Sequence, residues 1–375
     1  MGKNYIALAV PLFFAGIGIE VLVARRRGVV VHRFADAAGD VGCGVVQQVV
    51  GLFWAAGLLA GYGWLYDHAR VVTLWGGAGG AVVWAAAVVG VDFLYYWWHR
   101  LSHEVSFLWA AHVVHHQSED YNLAVALRQA PLTNLTIWVF YAPLALLGVP
   151  PLVYATTAAF STLYQFWIHT ELVGKLGPLE RVINTPSLHR VHHAINPRYL
   201  DKNYGATFMI WDRLFGTYAA EEEPCVYGTV RPLASFNPLW AQVAYLVELA
   251  KKSWATPRFA DKLRVWWKSP AWHPPGVPGG APPEVSRATF VKYDVPRRRG
   301  VVAYVSVQLA LIVAATFAVL LYYRQLPLAL TAAVAVVVLV ALGTCAALLE
   351  GRRWAVPAEF ARWALAVALA VTVLR

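Results

Sequence analysis

The sequence predicts an all-α fold: a polytopic helical membrane protein with a cytoplasmic helical cap that carries a histidine-rich dimetal site. Two observations predict the membrane part: 59% of the 375 residues are hydrophobic, and only 14% are charged. Soluble domains carry about 25% charged residues. The third observation concerns the cap, since eight of the 12 histidines fall in three short clusters.

Eight apolar segments are predicted as membrane spans, because a spanning helix needs about 20 apolar residues. They are 5–24, 44–66, 78–98, 131–149, 151–169, 301–323, 327–349 and 358–375. The third ends in the aromatic run Tyr95–Trp98, which is typical of a helix that reaches the headgroup level. We predict three regions: N-terminal transmembrane helices (1–77), a histidine-box catalytic core (78–300) and C-terminal transmembrane helices (301–375).

Basic residues in the short loops predict the orientation, since cytoplasmic loops are enriched in Lys and Arg. Arg25–Arg27 and Arg33 follow the first span. Residues 99–130 and 170–300 are therefore expected on the cytoplasmic side, of a bacterial cytoplasmic membrane or, in a eukaryote, of the endoplasmic reticulum. Residues 237–254 predict an amphipathic helix on the same leaflet. The net charge of +10 fits basic loops beside anionic lipid. The sequence contains no evident basic recognition helix, so we predict no nucleic-acid partner.

The histidine clusters predict a metal centre. Residues three or four apart share one helix face, so each cluster is expected to present its imidazoles to a common point. Neutral imidazole is a common ligand of first-row transition metals. One tetrahedral ion takes four ligands, so a larger set predicts two ions. The predicted metal ligands are His99, His103, His112, His115, His116, His169, His189, His192 and His193, and no catalytic residue is predicted beyond them.

The ligand type and the setting favour two iron ions, with zinc as the alternative. Imidazole suits both metals, but a site under a bilayer meets lipid chains, whose C–H bonds call for O2 and a redox metal. A thiolate site is excluded, because Cys43, Cys225 and Cys345 share no CxxC spacing. The isolated histidines His32, His68 and His273 are expected to be structural.

Polar residues near the clusters are candidates for the outer shell, because a ligand imidazole usually donates its second ring nitrogen to an acceptor. Asp92 lies seven residues before His99, two helical turns away on the same face. It also lies inside an apolar span, where a carboxylate is a functional candidate. The predicted outer-shell residues are Asp92, Glu119, Asp120, Asn122, Glu171, Asn184, Asp201 and Asn203.

The amino-acid sequence around the histidine clusters resembles that of a known protein family. The stretches are HHQSEDYNLAVALRQ (115–129), WIHTELVGKLGPLE (167–180), NTPSLHRVHH (184–193) and DKNYGATFMIWDRLFGTY (201–218). With the pattern HxxxH, HxxHH, HxxHH they are similar to the fatty acid hydroxylase / sterol desaturase superfamily, and within it to the alkylglycerol monooxygenase branch. The resemblance implies a non-haem di-iron centre held by the boxed histidines. It also implies tetrahydrobiopterin as electron donor and hydroxylation of an ether lipid at the ether-bearing carbon.

The predicted function is an integral-membrane di-iron monooxygenase. It hydroxylates a lipid C–H bond with O2 and two electrons from an external donor. One alternative is a hydroxylase or desaturase of a sterol, fatty acyl or ornithine lipid that uses another donor. A second is a zinc-dependent membrane lipid hydrolase, which needs neither O2 nor a reductant. A transporter is disfavoured, because transporter sites usually lie near the bilayer midplane in broken helices.

Overall fold

The computed structural model describes residues 5–72, 80–277, 279–280 and 282–374, and its regular elements are helical. Three short 3-10 helices and two isolated β-bridges accompany the α-helices. The all-α prediction is confirmed. The thirteen α-helices of this part of the chain are α1 Tyr5–Arg27, α2 Phe34–Ala69, α3 Ala81–Glu104, α4 Ser106–His116, α5 Pro131–Leu146, α6 Pro151–Trp167, α7 Pro186–His193, α8 Ile210–Leu214, α9 Pro238–Ala255, α10 Phe259–Trp267, α11 Arg299–Tyr322, α12 Leu328–Leu349 and α13 Ala355–Leu374.

The membrane character is confirmed by the helix lengths. Five described helices, α1, α2, α3, α11 and α12, are long and apolar enough to cross a membrane. The predicted spans 131–149 and 151–169 correspond to α5 and α6, which have 16 and 17 residues. At about 1.5 Å per residue, these two helices fall slightly short of a hydrocarbon core about 30 Å thick. The last predicted span coincides with α13, which is not among the five.

Helix α2 begins ten residues before the predicted apolar segment, at Phe34 rather than Gly44. Its extra turns contain Asp36 and Asp40, which lower the hydropathy that the prediction relied on. Both carboxylates are buried and paired in the folded protein: Ser118 Oγ donates to Asp36 at 2.6 Å, and Arg128 Nη1 donates to Asp40 at 3.2 Å. Tertiary partners thus extend the helix beyond its apolar part.

Two of the four aromatic rings at the end of α3 are buried inside the protein. Tyr96 and Trp98 are 0% and 1% exposed. The Trp98 indole donates to Thr136 Oγ1 in α5, at 3.1 Å, and the Tyr95 hydroxyl donates to Gln165 Oε1 in α6, at 2.7 Å. These contacts pack α3 against α5 and α6. That the run lies at headgroup level stays a prediction.

The amphipathic helix predicted from residue 237 is observed as α9. The Asn237 side chain caps it by accepting hydrogen bonds from Leu239 N and Trp240 N. Helix α10 packs on α9 and α4, and Trp254 and Trp267 project from this pair with 86% and 67% exposure.

The three-region division of the chain stays a proposal; its first boundary, after residue 77, lies outside the described residues.

Close packing of α2 generates a test of the fold. A Cβ atom added at Gly44 would lie 2.5 Å from Leu127 O, so Gly44→Ala must push two backbones apart. We expect it to lower stability by about 1–3 kcal/mol, seen as a lower thermal unfolding midpoint in detergent. Gly57→Ala in the same helix is the matched control, because nothing lies within 4 Å of its added Cβ. Equal midpoints for the two variants would contradict this packing.

Candidate metal centre

All nine histidines predicted as ligands converge in two groups. His99, His103, His112, His116 and His192 form the five-histidine group, and His115, His169, His189 and His193 form the four-histidine group. Within each group, one ring nitrogen per residue lies within 4.8 Å of the others. The arrangement therefore offers two adjacent, all-nitrogen sites.

The two groups do not correspond to the sequence clusters. On α4, His112 and His116 belong to the five-histidine group, whereas His115 belongs to the other. On α7, His192 joins the five-histidine group and the remaining two histidines join the four-histidine group. Each HxxHH cluster thus contributes to both sites, in contrast to the expectation that every cluster serves one point.

Main-chain carbonyls fix the protonation of four of these rings. A carbonyl only accepts hydrogen bonds, so the Nδ1 atom beside it must carry the proton, and the lone pair is left on Nε2. The four Nδ1 donors and their acceptors are His99 to Tyr204 O (2.7 Å), His115 to Arg128 O (3.0 Å), His169 to Gln165 O (2.7 Å) and His192 to Lys202 O (3.0 Å).

The free nitrogens fit metal ions. His115 Nε2 and His169 Nε2 are 3.1 Å apart, and both bear lone pairs, which repel each other unless a cation binds them. The Nε2 atoms of His103, His192 and His193 are buried and have no hydrogen-bond partner among the described residues. Buried polar atoms are almost always paired. This donor set therefore suits two cations that prefer nitrogen.

Burial keeps the imidazoles neutral. Desolvation lowers the pKa of His115 to about 4 and the pKa of His192 to about 3. Desolvation, followed by repulsion from neighbouring imidazoles, also lowers the pKa of His116 and His193 well below the usual value. At neutral pH these rings therefore hold no second proton that a metal ion must displace.

The segment 201–204 supplies two of the four carbonyls. Asp201 and Asn203 adopt left-handed backbone angles, with φ of 59° and 58°, a conformation that Asp and Asn tolerate better than most residues. They flank Lys202, and the carbonyls of Lys202 and Tyr204 in this segment accept from His192 and His99.

The predicted outer-shell residues lie around the site but accept no ring N–H within hydrogen-bond distance in the described structure. The nearest carboxylate among them is that of Asp201, whose Oδ1 lies 3.9 Å from His103 Nδ1. Asp92 accepts from Thr207 N and from the Trp211 indole, both at 2.8 Å. It thereby anchors to α3 the segment that carries the Tyr204 carbonyl.

The remaining candidates fasten other segments around the centre. Their contacts are Asn184 Nδ2 to Gly205 O (2.7 Å), Asn203 Nδ2 to Leu188 O (2.9 Å), Tyr293 N to Glu119 (2.6 Å), Lys292 Nζ to Asp120 (2.7 Å), Asn122 Nδ2 to Val31 O (2.7 Å) and the Tyr227 hydroxyl to Glu171 (2.9 Å). Four of these contacts fix backbone near the rings, whereas those of Asp120 and Glu171 join side chains of neighbouring segments.

Sequence reasoning missed the roles of Glu20 and Arg128. Glu20 is a buried carboxylate in α1 that accepts from Leu123 N at 2.8 Å and from Thr170, the residue after His169. Its place inside an apolar span was a usable signal. The Arg128 guanidinium donates to Val114 O at 2.7 Å, so its side chain and its carbonyl both secure the end of α4.

A cavity of about 520 Å³ leads from the membrane helices to the histidines. Its walls come from α1, α2, α3, α5, α6 and α11, with apolar residues such as Phe13, Leu52 and Ile137. Its inner end contacts His112 of the five-histidine group. It also contacts His115 and His169 of the four-histidine group. The cavity therefore suits an apolar chain that approaches both sites.

A second cavity, of about 660 Å³, is lined mainly by charged side chains. Glu171 and Arg190, which are close in sequence to His169 and His189, belong to its wall. Tyr227 donates to Glu171 and stacks on Tyr121 at 4.8 Å between ring centroids. The Tyr121 ring lies 5.3 Å from that of His193, so two buried aromatic rings connect this wall with the four-histidine group.

Comparison with known proteins identifies relatives over most of the chain. The family model for fatty acid hydroxylase matches residues 84–217, which include all nine histidines. The alkylglycerol monooxygenase of Homo sapiens is 41% identical over 315 residues, 83% of this chain and 70% of the human protein. Those of Xenopus tropicalis and Danio rerio are 40% and 41% identical over 76% and 72% of this chain, and the matches span 64% and 60% of their own lengths. No solved structure matches the chain significantly.

The two groups predict that a single substitution empties one site and spares the other. His189→Ala leaves three imidazoles in the four-histidine group, fewer than the usual four. We expect the metal content, measured by mass spectrometry, to fall from two ions per chain toward one. His68→Ala is the control, because that exposed ring bonds only to Trp64 O. Unchanged metal content in His189→Ala would contradict the assignment.

Asp92 is expected to act on the metal through the segment that it anchors. Asp92→Asn keeps the volume but weakens three hydrogen bonds, including the bond from Trp211 Nε1. We expect metal affinity, measured by chelator competition, to fall about 10- to 100-fold, as for other outer-shell substitutions. The exposed Asp67 of α2 provides the control variant Asp67→Asn. An identical competition curve for both variants would show that Asp92 has no such role.

Proposed function

Because the chain belongs to the fatty acid hydroxylase family, we propose that its two histidine groups hold two iron ions and that it hydroxylates an alkylglycerol ether lipid. The family and its alkylglycerol monooxygenase relatives make the protein a membrane lipid monooxygenase and therefore an oxidoreductase. The observation that carries the finer proposal is the set of nine neutral imidazoles, three of which line the inner end of a membrane cavity.

The reaction consumes O2, two electrons and two protons. One oxygen atom enters the C–H bond of the lipid, and the other leaves as water. A hydroxyl on the ether-bearing carbon forms a hemiacetal, which breaks down to an aldehyde and a free glycerol hydroxyl. When bound, the metal pair supplies the O2 activation that unactivated C–H bonds require.

The protein's own part is to hold the ligands and to exclude water. Carbonyl acceptors keep Nδ1 protonated and aim Nε2 inward, so the ligands need no rearrangement. The rings of Trp98 and Tyr95 lie 5.3 Å and 5.2 Å from those of His112 and His99, measured between centroids. These aromatic rings cover the inner end of the cavity and limit the access of water to the reacting carbon.

Lipid and reductant approach by different routes in this proposal. The lipid chain enters the apolar cavity between the membrane helices. A polar donor, with tetrahydrobiopterin as the one that the family resemblance implies, does not partition into that space. We assign its approach to the charged cavity, from which Tyr227 and Tyr121 lead toward His193.

The basic loop after α1 supports a cytoplasmic position of the centre. Arg25, Arg26 and Arg27 end α1, and cytoplasmic loops are enriched in such residues. We therefore propose that the histidine groups lie on the cytoplasmic side, where soluble reductants are available. The membrane is the bacterial cytoplasmic membrane or, in a eukaryote, that of the endoplasmic reticulum.

The proposal predicts that turnover requires both O2 and a reductant. Purified, iron-loaded protein with 1-O-hexadecylglycerol and tetrahydrobiopterin should release hexadecanal in air and none under anaerobic conditions, as followed by mass spectrometry. His192→Ala should lower the rate at least about 100-fold, since even outer-shell changes cost 10- to 100-fold. His68→Ala should match the wild type. Anaerobic, zinc-dependent release of a hydrolysis product would instead identify a hydrolase.

A further inference from the structure

The membrane cavity contains carboxamide side chains that no packing role explains. Gln47 and Gln48 on α2 and Asn134 on α5 line its wall. All three are half-buried between helices that pack together. Polar groups are costly in such surroundings unless they form hydrogen bonds, so leucine would be the better residue for packing alone.

These amides lie near the histidine end of the cavity. Gly44 of α2 is in contact with Leu127, and Gly51 of α2 faces the Asn134 amide, with its added Cβ 3.5 Å from Nδ2. Gln47 and Gln48 lie on the helix between these two levels. The segment that follows Leu127 carries Gln129, whose amide nitrogen is 3.2 Å from His115 Nδ1.

The three amides retain unused hydrogen-bonding capacity. Gln48 Nε2 donates to Gln47 Oε1 at 3.3 Å, which leaves the Gln47 amide nitrogen and the Gln48 oxygen available. Among the described residues, the Asn134 amide has no hydrogen-bond partner. By contrast, Gln165 accepts from the Tyr95 hydroxyl. The cavity therefore offers both donors and acceptors to a ligand.

The wall carries no charge that would match an ionic headgroup. None of the described residues that line this cavity is Asp, Glu, Lys or Arg. A buried ion needs an opposite charge or several hydrogen bonds, so a carboxylate, phosphate or ammonium head is disfavoured. Hydroxyl groups, which donate and accept like the amides, are the matching chemistry.

We propose that Gln47, Gln48 and Asn134 bind the uncharged, hydroxyl-bearing head of a single-chain lipid, while its alkyl chain fills the apolar remainder of the cavity. Held in this way, the lipid presents the carbon next to its head to the histidine groups, rather than a carbon in the middle of the chain. This inference rests on the proposed function and deepens it, because it explains why an ether carbon beside a glycerol is attacked.

Binding to the full-length, metal-depleted protein tests this inference without turnover. Dissociation constants are measured by native mass spectrometry for 1-O-hexadecylglycerol and for 1-methoxyhexadecane, which keeps the ether and the chain but lacks both hydroxyls. Asn134→Leu and Gln47→Leu should each raise the dissociation constant of the glycerol ether about 3- to 10-fold, the effect of one hydrogen bond. Binding of the methoxy lipid should not change. Gln325→Leu, at an exposed amide outside the cavity, is the control.

Three results would overturn the inference. Equal losses for both lipids would indicate a packing role, and unchanged binding in both variants would show that the amides do not contact the head. Palmitate or an ornithine lipid binding as tightly as the glycerol ether would contradict an uncharged head. A thermal unfolding midpoint equal to that of the wild type establishes that each variant is folded, and Asn134→Ala replaces Asn134→Leu if the leucine variant unfolds.

The outcome is separate from that of the proposed function. If wild-type protein oxidises the ether lipid but the variants keep full affinity, only the role of the amides fails. If hydroxyl-dependent binding is observed but no lipid is oxidised in the presence of O2, only the proposed function fails. In loaded enzyme, the variants should lower kcat/KM for the glycerol ether, because the amides both bind the head and position the carbon beside it.

Discussion

The structure depends on nine buried imidazoles, four of which have their proton held on the outer ring nitrogen by a main-chain carbonyl. This arrangement turns lone pairs inward, as at His115 and His169, where two Nε2 atoms lie 3.1 Å apart. Such proximity is unfavourable without a cation, so a bound metal ion would stabilise the folded core. The helices, the left-handed turn at Asp201 and Asn203 and the Asp92 anchor all serve to keep these carbonyls in place.

Helix periodicity made the convergence of the eight clustered histidines predictable from the sequence, because spacings of three and four residues place side chains on one face whatever the tertiary structure. His169 is isolated in the sequence and was included because it ends a predicted span. The division into two groups was not predictable, since it depends on how α4 and α7 are rotated against each other. The outer acceptors were expected among side chains such as Asp92, yet carbonyls take that place, and every residue has one. The early start of α2 was missed because hydropathy does not register the partners of Asp36 and Asp40.

The two cavities explain how one centre can serve reactants of opposite polarity. The wall between the membrane helices is uncharged and reaches His112, His115 and His169. The second cavity is charged and is connected to the four-histidine group by two stacked tyrosines. In the proposed reaction, the lipid remains in the membrane while a polar electron donor binds in the charged cavity. The separation also keeps polar molecules away from the reacting carbon.

The central claim is that two metal ions lie between these imidazoles, and anomalous scattering from crystals of the iron-loaded protein tests it most directly. Two peaks are expected at the iron edge. One should be enclosed by His99, His103, His112, His116 and His192, and the other by His115, His169, His189 and His193. A single peak, or peaks bound to other side chains, would contradict the account.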